Sequence, residues 1–189
     1  MNGAFGKADT RRTEFERDAA PHLPGIYRAA LAMFGNPAEA EDVAQEVFVQ
    51  AWQSFDRFEP GSNCRAWLFK ILSFKAGHHR RKWFRRRREA AVDEILENTT
   101  EAPVPIPEGL KDEDVLAALA RVPEAFREVL ILADVQEFSY KEIAEIAEIP
   151  IGTVMSRLSR ARGYLRRELA SMGIKASSDF STGGSPSLR

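Results

Sequence analysis

Cysteine is nearly absent. Cys64 is the one thiol in 189 residues, so no internal disulfide can form and stability must come from a packed apolar core. No apolar run approaches the ~20 residues of a membrane span, and none follows a signal-peptide pattern. A reduced, cytoplasmic setting without membrane insertion is therefore expected. Histidine is almost as scarce. The adjacent His78 and His79 would point about 100° apart on a helix, a poor chelating pair with or without Cys64, so neither metal nor cofactor is expected. The chain also lacks GxSxG, HExxH, P-loop and glycine-rich dinucleotide signatures. No enzyme is expected, and the remaining catalytic reading is a nuclease using His78 and His79 with nearby acids. No internal repeat is present.

A net charge of -1 lacks the basic excess of a typical nucleic-acid binder, but the sum conceals a sharp asymmetry. Lys75 to Arg88, KAGHHRRKWFRRRR, holds eight bases and no acid, whereas Glu89 to Asp114 holds nine acids against Lys111 alone. The composition, 44% apolar and 29% charged, suits one or two compact helical domains. Apolar spacing predicts an all-α fold: two small helical domains joined by an extended linker, the C-terminal one containing a helix-turn-helix. The expected divisions are a flexible N-terminus (1–12), a helical domain (13–97), an acidic Pro-rich linker (98–112), a second helical domain (113–170) and a disordered tail (171–189).

In the first domain, Pro21 and Pro24 divide a helical stretch that Gly35 stops. Asn36, Pro37 and Glu39 form a start signal for a helix that places Val43, Val47, Phe48, Ala51, Trp52 and Phe55 on an apolar face. Its opposite face carries Glu39, Glu41, Asp42, Gln45 and Glu46, which on composition alone is more readily a solvated surface than an interface. After a turn at Pro60 and Gly61, Ser62 or Asn63 caps a helix where Arg65, Trp67, Phe69, Lys70 and Phe74 interleave cations with aromatics. Such interleaving suits unpaired nucleic acid, because rings stack on bases while cations follow phosphates. Trp67 and Phe69 are equally readable as core.

In the second domain, Pro123 opens a helix, and Ser139 with Glu142 forms an SxxE capping box ahead of a helix ended by Pro150. The final helix is expected from about Gly152. Val154, Leu158, Ala161 and Leu165 face inward, and the polar side carries Arg157, Arg160, Arg162, Arg166 and Arg167. This second helix of a helix-turn-helix is shaped for a DNA groove. Its N-terminal residues are nearest the bases, and Arg162, Arg166 and Arg167 fall farther along, toward phosphates or solvent.

AEDVAQEVFVQAW (Ala40 to Trp52), CRAWLFKIL (Cys64 to Leu72) and the segment Val122 to Leu169, in that order and spacing, resemble bacterial sigma factors of the extracytoplasmic-function (ECF) group. The resemblance covers roughly Phe15 to Leu169. It implies a transcription initiation factor that binds core RNA polymerase and directs it to promoters, reading minus-thirty-five duplex and the melted minus-ten strand. It implies polymerase contact through Asp42, Gln45 and Glu46, in the family's DxxQE pattern, with Phe48. For the minus-ten strand it implies Arg57, Ser62, Asn63, Arg65, Trp67, Lys70, Phe74, Arg80 and Arg81. For the minus-thirty-five duplex it implies Ser139, Tyr140, Lys141, Thr153, Met155, Ser156, Arg157, Ser159 and Arg160. An anti-sigma factor is left open as a further partner. Two positions depart from the pattern: Phe74 stands where the family often has Asn, and Met155 where it often has a base. The binding surfaces carry over at these positions, but the base preference does not. The alternative is a sigma-like helix-turn-helix regulator, or an anti-sigma-binding mimic, that does not recruit polymerase.

Overall fold

The computed structural model describes residues 3–87 and 112–173, with side chains over 9–78 and 114–173. The expectations for residues 88–111 and 174–189 lie outside the described residues, as do those for the side chains of His79, Arg80 and Arg81. Among the described residues the secondary structure is helical throughout.

Helix α1 (Gly3–Asp18) begins inside the stretch expected to be a flexible N-terminus. The physical reason is aromatic. Phe15 meets Trp52 and Phe55 edge-on, with ring centroids 5.2 and 5.1 Å away, and the Arg11 guanidinium lies 4.4 Å from the Trp52 ring centroid. Aromatic pairs add about 0.5–1.5 kcal/mol each beyond burial, enough to hold a polar helix that the apolar spacing alone did not announce. A single 3-10 turn (Ala20–His22) leads to α2 (Leu23–Phe34), which Gly35 ends at φ +69°, a conformation that glycine adopts without strain.

Helix α3 (Pro37–Ser54) starts as expected, with the Asn36 side chain accepting from the Ala38 and Glu39 amides. At the start of α4 (Cys64–Arg87) the cap is Asn63, whose Oδ1 accepts from the Ala66 amide at 3.0 Å. Helices α2, α3 and α4 enclose Ile26, Val43, Val47, Leu68 and Leu72, all fully buried. Burying each such side chain is worth about 1.5–3 kcal/mol.

The second unit opens with α5 (Asp112–Arg121) and α6 (Glu124–Leu130), and α6 runs on into a π-helical turn (Ile131–Val135). Helix α7 (Tyr140–Ala147) carries the expected capping box: the Ser139 hydroxyl accepts from the Glu142 amide, and the Glu142 carboxylate accepts from the Ser139 amide at 2.9 Å. Glu148 turns the chain at φ +53°, and α8 (Ile151–Ser171) follows Pro150. Val154, Leu158, Ala161 and Leu165 are buried on its inner side, as the spacing predicts.

The two units pack against each other. Phe69 on α4, 1% exposed, meets Phe138 edge-on at 5.0 Å. Arg127 on α6 donates to the main-chain oxygens of Ala120 and Val122 and reaches across to that of Met33, tying the end of α2 to the α5–α6 turn.

Candidate nucleic-acid and polymerase interfaces

Three surfaces follow from which helix faces the cores consume. Burying Val43, Val47 and Ala51 turns the opposite side of α3 outward, so Asp42, Gln45 and Glu46 are exposed along one side of the helix. They line a shallow groove with Val49, Gln50, Gln53 and Lys75. Lys75 reaches over from α4 and pairs with Glu46 at 3.3 Å. Phe48 is only partly exposed and meets Phe15 edge-on at 6.3 Å. Its ring is divided between core and surface.

The second surface is the entry of α4 with the loop before it. Arg57, Ser62 and Asn63 are exposed. Trp67 is half-buried, with its ring 5.0 Å from Phe58 and 6.3 Å from Phe55, so it packs this corner while keeping one edge in the open. Phe69, read as core or stacker, belongs to the core. Phe74 is the opposite case. It is 59% exposed, in ring contact with His78 at 4.7 Å, and shares with Trp67, Lys70 and Ile71 one wall of a cleft of about 820 Å³. Ile146, Ile149 and Arg157 lie on the other wall.

This surface is not bare. Asn63 donates to Glu142 at 3.3 Å, Arg65 donates to the main-chain and side-chain oxygens of Gln136, and Lys70 lies 2.9 Å from Glu148. These partners were not foreseen. No local pattern in DVQEFSY or AEIPIG distinguishes a seam from a turn, because the signal is a tertiary one.

The third surface is the turn and first half of α8. Ser139, Tyr140, Lys141, Met155 and Ser156 are exposed, while Thr153, Arg157, Ser159 and Arg160 are partly so. Ser139 is committed to the cap, so only its outer edge is available to a ligand. Arg162 departs from the reading that put it toward phosphates or solvent. Its guanidinium donates to both Asp134 oxygens, at 3.1 and 2.6 Å, and its side chain is only 14% exposed. Asp134 holds it as a strut between α8 and the π turn. Arg167 lies over Tyr164, 4.7 Å from the ring centroid.

Two thiol and imidazole groups flank the α4 entry. Burial, and then the nearby Asp18 carboxylate, push the Cys64 thiol up to about 11, which leaves it protonated and inert at neutral pH. Burial, followed by the Arg65 charge, lowers the His22 pKa. No group of three or more potential metal ligands occurs among the described residues, and no described helix is long and apolar enough to cross a membrane.

Two family models match, Sigma-70 region 2 over residues 19–88 and Sigma-70, region 4 over residues 112–165. The ECF RNA polymerase sigma factor EcfG of Rhodopseudomonas palustris is 35% identical, with 78% of this chain and 81% of that protein covered. The ECF RNA polymerase sigma factor SigW of Bacillus subtilis is 31% identical, with 76% of this chain and 82% of that protein covered. Among solved structures, the sigma factor RpoE of Bartonella quintana, in complex with the anti-sigma factor NepR, superposes with a TM-score of 0.67. It shares 32% identity, and the match covers 82% of this chain and 96% of that one.

Proposed function

The chain belongs to the ECF group of RNA polymerase sigma factors, and from that premise we propose how its surfaces divide the work of initiation. The protein directs RNA polymerase to promoters. Asp42, Gln45 and Glu46, with the outer edge of Phe48, dock on core RNA polymerase. These three polar side chains stand exposed on the side of α3 away from the buried Val43, Val47 and Ala51, and they coincide with the DxxQE pattern of the family.

The α4 entry takes the melted minus-ten strand. Arg57, Arg65 and Lys70, continued by Arg80 and Arg81, follow phosphates, and Ser62 and Asn63 meet base or sugar edges. Trp67 and Phe74 provide stacking surfaces worth about 1–3 kcal/mol per base. Phe74 cannot hydrogen-bond a base edge, so it selects by stacking. The helix-turn-helix takes the minus-thirty-five duplex: Thr153, Met155, Ser156, Arg157, Ser159 and Arg160 face the groove, and Ser139, Tyr140 and Lys141 lie by the backbone. Met155 presents an apolar contact suited to a thymine methyl. The protein supplies binding and strand capture and has no catalytic chemistry of its own. An anti-sigma factor is its further partner, after the complex in which RpoE of Bartonella quintana was solved.

The observation that carries this reading is the pair of outward faces, acidic on α3 and aromatic-cationic on α4, set side by side on one packed unit, with Gln50 lining both. A helix-turn-helix regulator or an anti-sigma-binding mimic that does not recruit polymerase is not favoured, because it has no use for the α3 face. Permanganate footprinting of promoter complexes tests the division. Lys70→Ala and Phe74→Ala should reduce thymine reactivity in the minus-ten region while leaving core binding intact. Full reactivity in both variants contradicts the α4 assignment.

A further inference from the structure

Trp67, the stacking surface at the α4 entry, is the last ring in a row that starts on α1. Phe15 meets Phe55 edge-on at 5.1 Å, Phe55 stacks on Phe58 at 5.6 Å with the planes 12° apart, and Phe58 meets Trp67 at 5.0 Å. Phe58 belongs to no helix. It lies in the loop between α3 and α4, directly after the 3-10 turn Phe55–Arg57, yet it is only 8% exposed, while Arg57 before it and Ser62 and Asn63 after it are exposed. Its ring therefore anchors the middle of a loop whose two ends carry side chains proposed for the strand. The rest of that loop closes on itself: the Ser62 amide and hydroxyl both donate to the Glu59 main-chain oxygen, at 3.0 and 2.7 Å, and Gly61 turns at φ +85°. Behind the row, α1 is tied down at a second point. Arg11 donates to the Trp52 main-chain oxygen and lies 3.1 Å from Asp56, on the turn that leads to Phe58. The end of α1 reaches the same loop, where Arg17 and Asp18 line a cavity of about 480 Å³ with Phe58, Ser62, Asn63 and Arg65.

We propose that Phe58 is a positioning residue of the minus-ten face, and that α1, through Phe15 and Phe55, is the brace that holds it. The row sets the Trp67 ring with one edge open and keeps Arg57, Ser62 and Asn63 in place beside it. This rests on the assignment of the α4 entry to the minus-ten strand. The gain is preorganisation: a stacking platform that is already fixed does not have to be ordered when a base arrives, and ordering a side chain and its loop is subtracted from binding. None of the three phenylalanines needs to touch DNA. A ring at position 58 does more than fill space, because stacked and edge-on contacts are directional. An aliphatic side chain of similar size keeps the burial and loses the orientation.

The test uses the full chain bound to core polymerase, on promoters selected by the wild-type protein from a random pool. Permanganate reactivity of minus-ten thymines, titrated with holoenzyme, reads strand capture, and fluorescence titration reads affinity for core and for the minus-thirty-five duplex. Phe58→Leu is expected to weaken strand capture roughly twofold to tenfold with the other two affinities unchanged, and Phe58→Tyr, which keeps the ring, to stay close to wild type. A double-mutant cycle separates positioning from general destabilisation. Phe58→Leu should lose most of its effect in a Trp67→Ala background and keep it in a Lys70→Ala background. If circular dichroism shows Phe58→Leu unfolded, Phe15→Leu, at the far end of the row, is expected to weaken strand capture in the same way. Equal losses in all three affinities, an undiminished effect in the Trp67→Ala background, or no loss of strand capture overturns the positioning role. If Trp67→Ala and Lys70→Ala themselves leave strand capture intact, the assignment of the α4 entry fails and the proposal falls with it. If they reduce it and Phe58→Leu does not, the proposal alone fails.

Discussion

Arg65 and Gln136, seventy-one residues apart, are joined by two hydrogen bonds from one guanidinium nitrogen, to the main-chain oxygen and to Oε1. The same guanidinium is part of the surface proposed to take the minus-ten strand, and in that role it could not also keep its bonds to Gln136. Replacing it should therefore affect both contacts. Arg65→Ala is expected to enlarge the scattering radius of the free chain yet weaken promoter melting by the holoenzyme by about 1–3 kcal/mol. Scattering and permanganate reactivity on one preparation check both signs.

On α3, Asp42→Ala, Gln45→Ala and Glu46→Ala are each expected to weaken binding to core polymerase, and the triple variant by at least tenfold, about 1.4 kcal/mol. Binding of the minus-thirty-five duplex should not change. Lys75→Ala removes the cation 3.3 Å from the Glu46 carboxylate and should alter core affinity without touching duplex affinity. Fluorescence titration with core and with duplex separates these effects.

Within α8, Arg160→Ala should cost about 1–3 kcal/mol and relax sequence preference, whereas Arg166→Ala weakens all duplexes alike and lowers the salt slope by about one. Equal, sequence-blind effects from both would remove the distinction between base and phosphate contacts.

Arg162 sits on the same helix and is expected to behave differently. Its bonds to Asp134 make it a structural residue, so Arg162→Ala should lower the unfolding free energy by roughly 1.5–3 kcal/mol with no change in salt slope. Asp134→Asn should lower stability in the same direction. Urea unfolding and a salt titration read the two quantities.

The legible part of this chain was the part written in local chemistry. The Asn36 cap, the Ser139 and Glu142 box and the inward stripe of α8 follow from residues within one or two turns of each other, and each stands where the spacing puts it. The start of α1 was not legible, because the Phe15 and Arg11 contacts that hold it come from Trp52 and Phe55, some forty residues away. Arg162 misled for the same reason: its partner lies on another element. The basic-aromatic character of the α4 entry could be read directly, but not that Glu142, Glu148 and Gln136 would meet it, since a carboxylate facing a phosphate-binding side chain has no signature along the chain.

The capping box also sets a pH dependence. The Ser139 hydroxyl, and then its amide, hold the Glu142 carboxyl below its ordinary value of 4.5. A lowered folded-state pKa contributes stability above that ordinary value, and the contribution is lost as pH falls through the folded one. Ser139→Ala is expected to cost about 1 kcal/mol at neutral pH, and the difference from wild type should shrink on acidification below 4.5. Urea midpoints across that range check it.

Run-off transcription with purified core polymerase, on promoters selected by the protein from a random pool, tests the division of labour most directly when the wild type is compared with the Asp42, Gln45 and Glu46 triple alanine variant. The expected result is initiation that requires both core and protein, and that the triple variant loses while it still binds the selected duplex. Tight duplex binding with no core-dependent transcript, or full initiation by the triple variant, would contradict it.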